Sequence, residues 1–312
     1  MTQLRFGVHT GQQNCSLDEL RRLWRYLDGA GFDWISVWDH FYESPPVDGS
    51  GDAFEAVSAL TLLATETRQV RVGCLVFCMG YRHPAVLAKA LVTIDHASHG
   101  RLEVGLGAGW HEPEYRGYGI PFPPIKERLD LLEEGIQVIR ALLNNERSTF
   151  RGKYFSLHDA ACNPKPVQRP LPLWIGGNGE KRTLRLAARY ADGWNGPYIS
   201  PETFRHKCQV LDRWCEAEGR DPATLVRTVN VGFYMATDAA KARALRRTLE
   251  AQWGSAFATR AEGFLMGTVQ ETIDRLGAYR EAGAARVNIA LRAPFDWEAL
   301  QAYVEEVMPA FR

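Results

Sequence analysis

The sequence predicts an α/β protein, a (β/α)₈ TIM barrel with insertions at the C-terminal face of the barrel. Segments typical of buried strands alternate with amphipathic, helix-like segments from one end of the chain to the other. About eight such strand–helix units fit within the chain, as this barrel requires. No Ser/Gly linker, charge block or low-complexity tract divides it, so we expect residues 1–312 to form one domain. A doubly wound open sheet is the weaker alternative.

The first two units are read from short apolar runs. Residues 4–9 have the pattern of a first strand and residues 32–37 that of a second. Between them, the stretch 16–19 has the spacing of a capping box, which predicts the start of a helix. A turn-rich loop over 42–51 then leads to a helix at about 52–65.

The stretch around which the chain is organised follows, with a strand–helix–strand pattern. Residues 72–77 are apolar and partly β-branched, which suits a parallel strand buried on both faces. Pro84 stands where the first turn of a helix tolerates proline, and apolar residues follow it at helical spacing. A second apolar strand at 102–106 runs into glycines 105, 107 and 109. We expect a ligand there, because α/β folds bind ligands at the carboxyl ends of their strands.

The second half of the chain continues the alternation. The loop at 107–128 and the region 145–171, with a short hairpin around Arg151 and Gly152, are the expected insertions near the barrel mouth. The remaining elements are predicted as a helix at 129–142, a strand at 171–175, a helix from 181, a strand at 191–195, a helix at 201–218, a strand at 225–235, helices at 238–252 and 268–282, a strand at 285–291 and a closing helix from 297.

Composition excludes several classes of protein. The chain is 46% hydrophobic and 24% charged, which is ordinary for a soluble enzyme. Lys plus Arg equals Asp plus Glu at 37 each, so no net field attracts nucleic acid or an anionic membrane. No apolar run approaches the roughly 20 residues that span a bilayer, and the first residues lack a signal-peptide core. We therefore expect a cytoplasmic protein.

The 6 cysteines show no CxxC pair. This pattern favours reduced thiols in a cytosolic protein over a disulfide framework. We interpret them as small core or surface residues.

In a barrel, the active site lies where strands end and the following loops begin. The segments that this rule collects are 9–10, 39–40, 78–79, 107–111, 176–179 and 194–195. Glycine and tryptophan dominate them, and paired carboxylates are missing. Such a rim suits a flat, polar cofactor better than hydrolysis.

Asp39 and His40 stand at the end of the second predicted strand. His is the side chain best suited to proton transfer near neutral pH, so the two could form an acid/base pair or a hydrogen-bonding station. The alternative is a turn or capping Asp beside an exposed His. Their position in a barrel favours the functional interpretation.

The sequence Gly176-Gly177-Asn178-Gly179 precedes a helix, where free N–H groups and the helix dipole can bind an anion such as phosphate. An ordinary turn has the same composition. The glycines at 105, 107 and 109 lack the dinucleotide-binding spacing, which argues against a Rossmann site.

Metal binding and covalent catalysis find little support. His111, Glu112 and Glu114 show no recognised spacing of metal ligands, so we expect no metal. The Ser, Cys and His residues form no local signature of a nucleophile.

Taken together, several segments resemble the bacterial luciferase-like monooxygenase superfamily, particularly its coenzyme F420-dependent oxidoreductases. The order and spacing of these segments, rather than any single one, carry the resemblance over almost the whole chain. The matching segments are LRFGVHT at 4–10, AGF at 30–32, WDHF at 38–41, RHP at 82–84, LAKALVTIDHASHGRLEVGLGAGW at 87–110, PKP at 164–166, PLWIGG at 172–177 and AARYADGW at 187–194.

The resemblance implies a TIM barrel with a flavin-like ring over the carboxyl ends of the strands. By position, Asp39 and His40 would contact the deazaflavin, with His40 near the reacting ring, and both are the predicted catalytic residues. Leu75 and Val76 match a non-prolyl cis peptide that backs the ring. The polar tail would be lined by Gly107, Ala108, Gly109, Trp110 and His111. The phosphate would be held by Gly176, Gly177, Asn178 and Gly179.

The resemblance also sets the functional expectation: hydride transfer between coenzyme F420 and an unidentified small organic substrate. The alternatives are an FMN-dependent monooxygenase supplied by a separate reductase and a non-catalytic flavin-binding carrier or sensor. The sugar-phosphate dehydrogenases of the family have a catalytic carboxylate where this chain has Trp110, which argues against a sugar phosphate. A homodimer, and a flavin or F420 reductase as a partner, are expected by resemblance alone. An apolar, aromatic-lined pocket is suggested by Trp38, Trp110, Trp194, Tyr115 and Tyr118.

Overall fold

The fold was obtained as a computed structural model, which describes residues 3–43 and 48–312. The strands are β1 (Arg5–Thr10), β2 (Trp34–Val37), β3 (Arg71–Cys78), β4 (Leu102–Gly107), β5 (Arg147–Arg151), β6 (Ser156–Ala161), β7 (Leu173–Gly176), β8 (Gly193–Pro197), β9 (Val226–Met235), β10 (Phe264–Gly267) and β11 (Arg286–Leu291). The helices are α1 (Leu17–Gly29), α2 (Ala56–Glu66), α3 (Pro84–Ala97), α4 (Glu112–Gly117), α5 (Ile125–Asn144), α6 (Thr183–Tyr190), α7 (Pro201–Ala217), α8 (Ala239–Trp253), α9 (Phe257–Ala261), α10 (Val269–Glu281) and α11 (Trp297–Ala302).

Within the described residues, eight strands close into a parallel barrel in the order β1, β2, β3, β4, β7, β8, β9, β11. The β9 strand closes it, because β9 pairs in parallel with both β8 and β11. Closure confirms the predicted (β/α)₈ barrel and excludes the open sheet. The predicted turn-rich loop over 42–51 includes residues 44–47, which lie outside the described residues.

The structure confirms the helix starts and the hairpin that the local sequence predicts. Ser16 and Glu19 form a capping box at the start of α1, each side chain bonding to the other's backbone. Pro84 is the first residue of α3. The predicted hairpin is present as the antiparallel pair β5–β6. The remaining loop near the mouth contains the short helix α4, which the sequence does not signal.

The interior at the amino ends of the strands is filled by rings and charges, and we call it the barrel floor: Trp34, Glu103, Trp174 and Arg286. The Arg286 guanidinium lies 4.3 Å from the Trp34 ring and 4.9 Å from the Trp174 ring, with the side chain 1% exposed. Its Nη2 donates to Glu103 at 3.0 Å. The two indoles fit because glycine faces them from neighbouring strands: a Cβ at Gly193 would lie 2.2 Å from the Trp174 ring.

A layer of amides lies in the barrel interior beyond the floor. Asn195 donates to Thr228 at 3.0 Å and to Asn230 at 3.2 Å, and Asn288 donates to the same Asn230 oxygen at 2.8 Å. The donor groups of this layer are hydrogen-bonded, as most buried polar groups are, whereas the buried Oδ1 of Asn288 has no hydrogen-bond partner among the described residues. They separate the floor from the barrel mouth, where Asn195 and Asn230 face a cavity.

Candidate active site

A cavity of about 480 Å³ lies at the carboxyl ends of the strands. Its wall combines residues in, or directly after, all eight barrel strands with residues of α5, α6 and the loops. It is lined by His9, Trp38, Asp39, His40, Leu75, Val76, Cys78, Tyr81, Gly107, Ala108, Gly109, Trp110, Ile125, Leu129, Gly176, Gly177, Asn178, Gly179, Thr183, Asn195, Pro197, Tyr198, Asn230 and Arg292. Its size and position suit a ligand site in this fold.

The structure brings nearly all of the predicted site residues to this cavity. The predicted lining residues found there are Asp39, His40, Leu75, Val76, Gly107, Ala108, Gly109, Trp110, Gly176, Gly177, Asn178 and Gly179. His111 is different: it is 4% exposed, packs against the rings of His40 and Trp110, and does not belong to the described lining.

The back wall of the cavity is built on Val76. The Leu75–Val76 peptide bond is cis, and the pairing of β3 with β4 shifts register at this point. A Cβ at Gly107 would lie 2.3 Å from one Val76 methyl, and a Cβ at Gly176 would lie 2.7 Å from the other. Val76 therefore sits where two neighbouring strands offer bare backbone, and the wall is smooth.

His40 is held by a carboxylate from another part of the chain. Its Nδ1 lies 3.1 Å and 3.0 Å from the two oxygens of Glu114 on α4. The same carboxylate accepts the backbone N–H groups of Phe41 and Tyr42, each at 2.9 Å, and the Tyr81 hydroxyl. With Nδ1 on Glu114, the Nε2 atom of His40 is the one that a molecule in the cavity can reach.

Burial by itself would raise the pKa of Glu114. The hydrogen bond and charge of His40 and the hydrogen bond from Tyr81 outweigh it, so the pKa of Glu114 lies below its ordinary value. Glu114 is therefore an anion at neutral pH, and an anion accepts hydrogen bonds only.

Asp39 is engaged on both carboxylate oxygens. The two Arg82 Nη atoms donate to it at 2.5 Å and 2.9 Å, and the backbone N–H of Cys78 donates at 2.8 Å. This bidentate pair joins the end of β2 to the end of β3. Burial lowers the pKa of Arg82, but hydrogen bonding to Asp39 and the charge of Asp39 raise it further, with a net upward shift.

Two charged or titratable residues of the wall have roles that sequence reasoning missed. His9 bonds to Ser36 at 2.7 Å, and burial, aided by the charge of Arg292, lowers the pKa of His9 to about 3. His9 is therefore neutral. Arg292, just beyond β11, lies over the Trp38 ring at 5.3 Å. The strand-end rule collects His9, but Arg292 follows a strand whose end carries no glycine or aromatic signal.

The predicted aromatic pocket is only partly present. Trp38 and Trp110 line the cavity. Trp194 is fully buried and stacks on Phe204 at 5.5 Å, and Tyr115 bonds to Cys78 at 2.8 Å. These two residues pack the barrel instead, because their strand and helix turn them away from the mouth. Tyr118 is 57% exposed and lies outside the lining.

Two further findings concern the described residues alone. They contain no group of three His, Cys, Asp or Glu side chains arranged to hold a metal ion. Across residues 3–43 and 48–312, no helix has the length and apolar character needed to cross a membrane.

The chain was compared with known proteins. A family profile described as luciferase-like monooxygenase matches residues 1–286. The F420-dependent glucose-6-phosphate dehydrogenase of Kineococcus radiotolerans is 32% identical over 245 residues, which cover 77% of this chain and 70% of that protein. The F420-dependent hydroxymycolic acid dehydrogenase of Mycobacterium tuberculosis is 30% identical over 242 residues, covering 76% of this chain and 65% of that protein.

Among solved structures, an F420-dependent secondary alcohol dehydrogenase in complex with an F420–acetone adduct superposes with a TM-score of 0.85 at 22% identity, covering 100% of both chains. At this identity the likeness shows the fold alone. The family, by contrast, is shown by sequence, because the profile and the dehydrogenase of Kineococcus radiotolerans each match most of the chain. This protein belongs to the luciferase-like monooxygenase family.

Proposed function

We propose that the protein is an oxidoreductase that transfers a hydride between coenzyme F420 and a small organic substrate. The observation that carries the proposal is the cavity itself, where a bare-backbone wall around Val76 and the reachable Nε2 of His40 share one space. The F420-dependent enzymes among the sequence relatives support the choice of coenzyme.

The residues present fit a flat coenzyme with a phosphate-bearing tail. A side chain at Gly107 or Gly176 would displace Val76, so these glycines leave a flat surface for a ring. Gly176 to Gly179 run into the start of α6, where backbone N–H groups favour an anion. Among the described residues, the buried Oδ1 of Asn178 has no hydrogen-bond partner and could accept one from a ligand.

In the proposed mechanism, the coenzyme would be held by Val76, Gly107, Gly109 and the loop 176–179. Bound F420 would supply the ring carbon that accepts or donates the hydride. His40 Nε2 then accepts the proton of a substrate hydroxyl as it becomes a carbonyl, or returns it in the reverse direction. The apolar side chains Trp110, Ile125 and Leu129 exclude water at the mouth.

Asp39 belongs to the proposed site as a residue that shapes the wall. Its oxygens already accept hydrogen bonds from Arg82 and Cys78, so we propose that it is a fixed negative charge shaping the wall beside His40. Proton transfer is assigned to His40. The single domain, the homodimer, a reductase partner and a cytoplasmic location stay predictions from the sequence.

The test is a titration of the purified protein with F420 and, in parallel, with FMN, followed by cofactor fluorescence. We expect saturable F420 binding at least tenfold tighter than FMN binding, and F420 reduction with one member of an alcohol panel. Absence of F420 affinity would overturn the proposal. Selective FMN binding with reductase-dependent oxygen consumption would indicate a monooxygenase, and tight binding without any turnover would indicate a carrier or sensor.

A further inference from the structure

We propose that Glu114 is a positioning residue that fixes the tautomer of His40, so that Nδ1 carries the proton and Nε2 faces the cavity as a proton acceptor. The catalytic consequence rests on the proposed function. The tautomer itself does not, and can be measured separately.

The first step of the argument is that Glu114 has no exposed surface and only donors around it. Its carboxylate side chain is 0% exposed. Its partners are His40 Nδ1, two successive backbone N–H groups of the loop after β2 and the Tyr81 hydroxyl. Backbone N–H groups can only donate. The site is thus built for an acceptor that stays an anion.

The second step is that this acceptor leaves one arrangement for a neutral imidazole. Since an ionised carboxylate cannot donate, His40 Nδ1 must carry the hydrogen. Nε2 is then the unprotonated nitrogen, and it is the one directed toward the cavity. The other tautomer would face two lone pairs toward each other inside the protein.

The third step concerns the other titratable groups facing His40. His9 has its pKa lowered to about 3, chiefly by burial, and brings no charge near neutral pH. His111 packs edge-on against the His40 ring at 5.9 Å, and Asp39 is committed to Arg82. Tyr81 reaches His40 only through Glu114. Glu114 is therefore the described carboxylate that bonds to the imidazole.

The deciding variant is Glu114→Gln. Glutamine keeps an oxygen for the N–H groups of Phe41 and Tyr42, but its NH₂ would donate to His40 Nδ1 and move the ring proton to Nε2. We expect kcat to fall about 10²–10⁴-fold, the range seen when an orienting or general acid–base group is lost. F420 affinity should change less than about threefold, since Glu114 is not among the residues that line the cavity.

The matched control is Glu112→Gln on the same short helix. The Glu112 side chain is 44% exposed and pairs with Arg116 at 2.6 Å, so its substitution leaves His40 untouched. We expect wild-type kcat and wild-type F420 affinity. An equal loss of kcat in both variants would show that α4, rather than the carboxylate on His40, matters, and would overturn the proposal.

The ¹⁵N NMR spectrum of the histidines reports the tautomer directly, and a merely structural role of Glu114 would not change it. The signals of His40 are assigned by comparison with His40→Gln. For the neutral form of His40 we expect hydrogen on Nδ1 and a bare Nε2 in the wild-type protein, and the reverse in Glu114→Gln. A wild-type spectrum with hydrogen on Nε2 alone would refute the assignment, even if the variant failed to fold. Because the spectrum is recorded without coenzyme, failure of F420 binding leaves this result readable.

Discussion

The two ends of the barrel each bury a carboxylate against a basic side chain, yet they differ in what lies beside the pair. On the barrel floor, Glu103 bonds to Arg286 at 3.0 Å and to Arg71 at 2.6 Å, and indole rings cover the Arg286 guanidinium. At the mouth, Glu114 holds His40 in the same way, but one nitrogen of the ring faces a cavity. We therefore expect the covered pair on the floor to stabilise the fold, and the pair at the mouth, which has an open side, to serve the proposed chemistry.

The largest expected effect is on catalysis, at His40 on the open side of the mouth. We predict that His40→Gln lowers kcat about 10²–10⁴-fold, because it removes the group to which we assign proton transfer. The His40 side chain is 17% exposed. Glutamine can still reach Glu114, so the free energy of unfolding should change by less than about 1 kcal/mol. Steady-state kinetics and urea unfolding measure the two effects. His206→Gln, at an exposed histidine that pairs with Glu180 at 3.0 Å, is the control and should match wild type.

Substitutions on the barrel floor should change stability and leave coenzyme binding unchanged. We predict that Glu103→Ala lowers the free energy of unfolding by about 3–5 kcal/mol, because Arg286 becomes a buried charge without its partner. F420 affinity of the folded fraction should be unchanged. The double variant E103L/R286M should be more stable than E103A, since it removes both charges. A loss of F420 affinity without a loss of stability would show that floor and mouth are not separable.

A smaller effect, on F420 affinity, is expected for a substitution in the bare-backbone wall around Val76. Gly176→Ala places a methyl 2.7 Å from Val76, so Val76 must move into the cavity. We predict an F420 affinity about tenfold weaker, equivalent to about 1.4 kcal/mol. Adding Val76→Ala should restore part of the affinity by vacating the space. Gly29→Ala, which meets no atom within 4 Å, is the control and should bind like wild type.

The smallest expected effect is the pH dependence of the stability that Glu103 and Arg286 contribute on the barrel floor. Burial would raise the pKa of Glu103, but the charges and hydrogen bonds of Arg286 and Arg71 hold it below its ordinary value of 4.5. A lowered pKa in the folded state stabilises the protein above pH 4.5, and this contribution is lost as pH falls through the folded-state value. The stability difference between wild type and Glu103→Gln, from urea unfolding, should therefore be smaller at pH 3.5 than at pH 6. An unchanged difference would mean that Glu103 is not ionised in the folded protein.

The comparison of mouth and floor also explains which parts of the site and of the barrel interior the sequence could predict. Strand ends and their glycines identified most of the mouth, because parallel strands bring their carboxyl ends together wherever the loops go. Glu114 was missed as a partner of His40, since 74 residues separate them and the short helix α4 that brings them together has no strong signal. The floor was missed for another reason: Arg286 and Glu103 stand at the starts of strands, where a charge is usually solvated.

One strand was also missed. β10 has only four residues, Phe264–Gly267, and begins directly after Gly263. It pairs with the last residues of β9, beyond the part of β9 that pairs with β8. Hydrophobic periodicity needs a longer run than this to predict a strand.

The fit of Trp174 against Gly193 bears on how this barrel can change over evolutionary time. A methyl at position 193 has no room while an indole occupies position 174. Neither residue can be exchanged for a typical barrel-interior side chain in one step without a clash or a void. Descendants of this gene should therefore either keep both residues or replace them jointly, and the pair should stand out as covarying in an alignment of relatives.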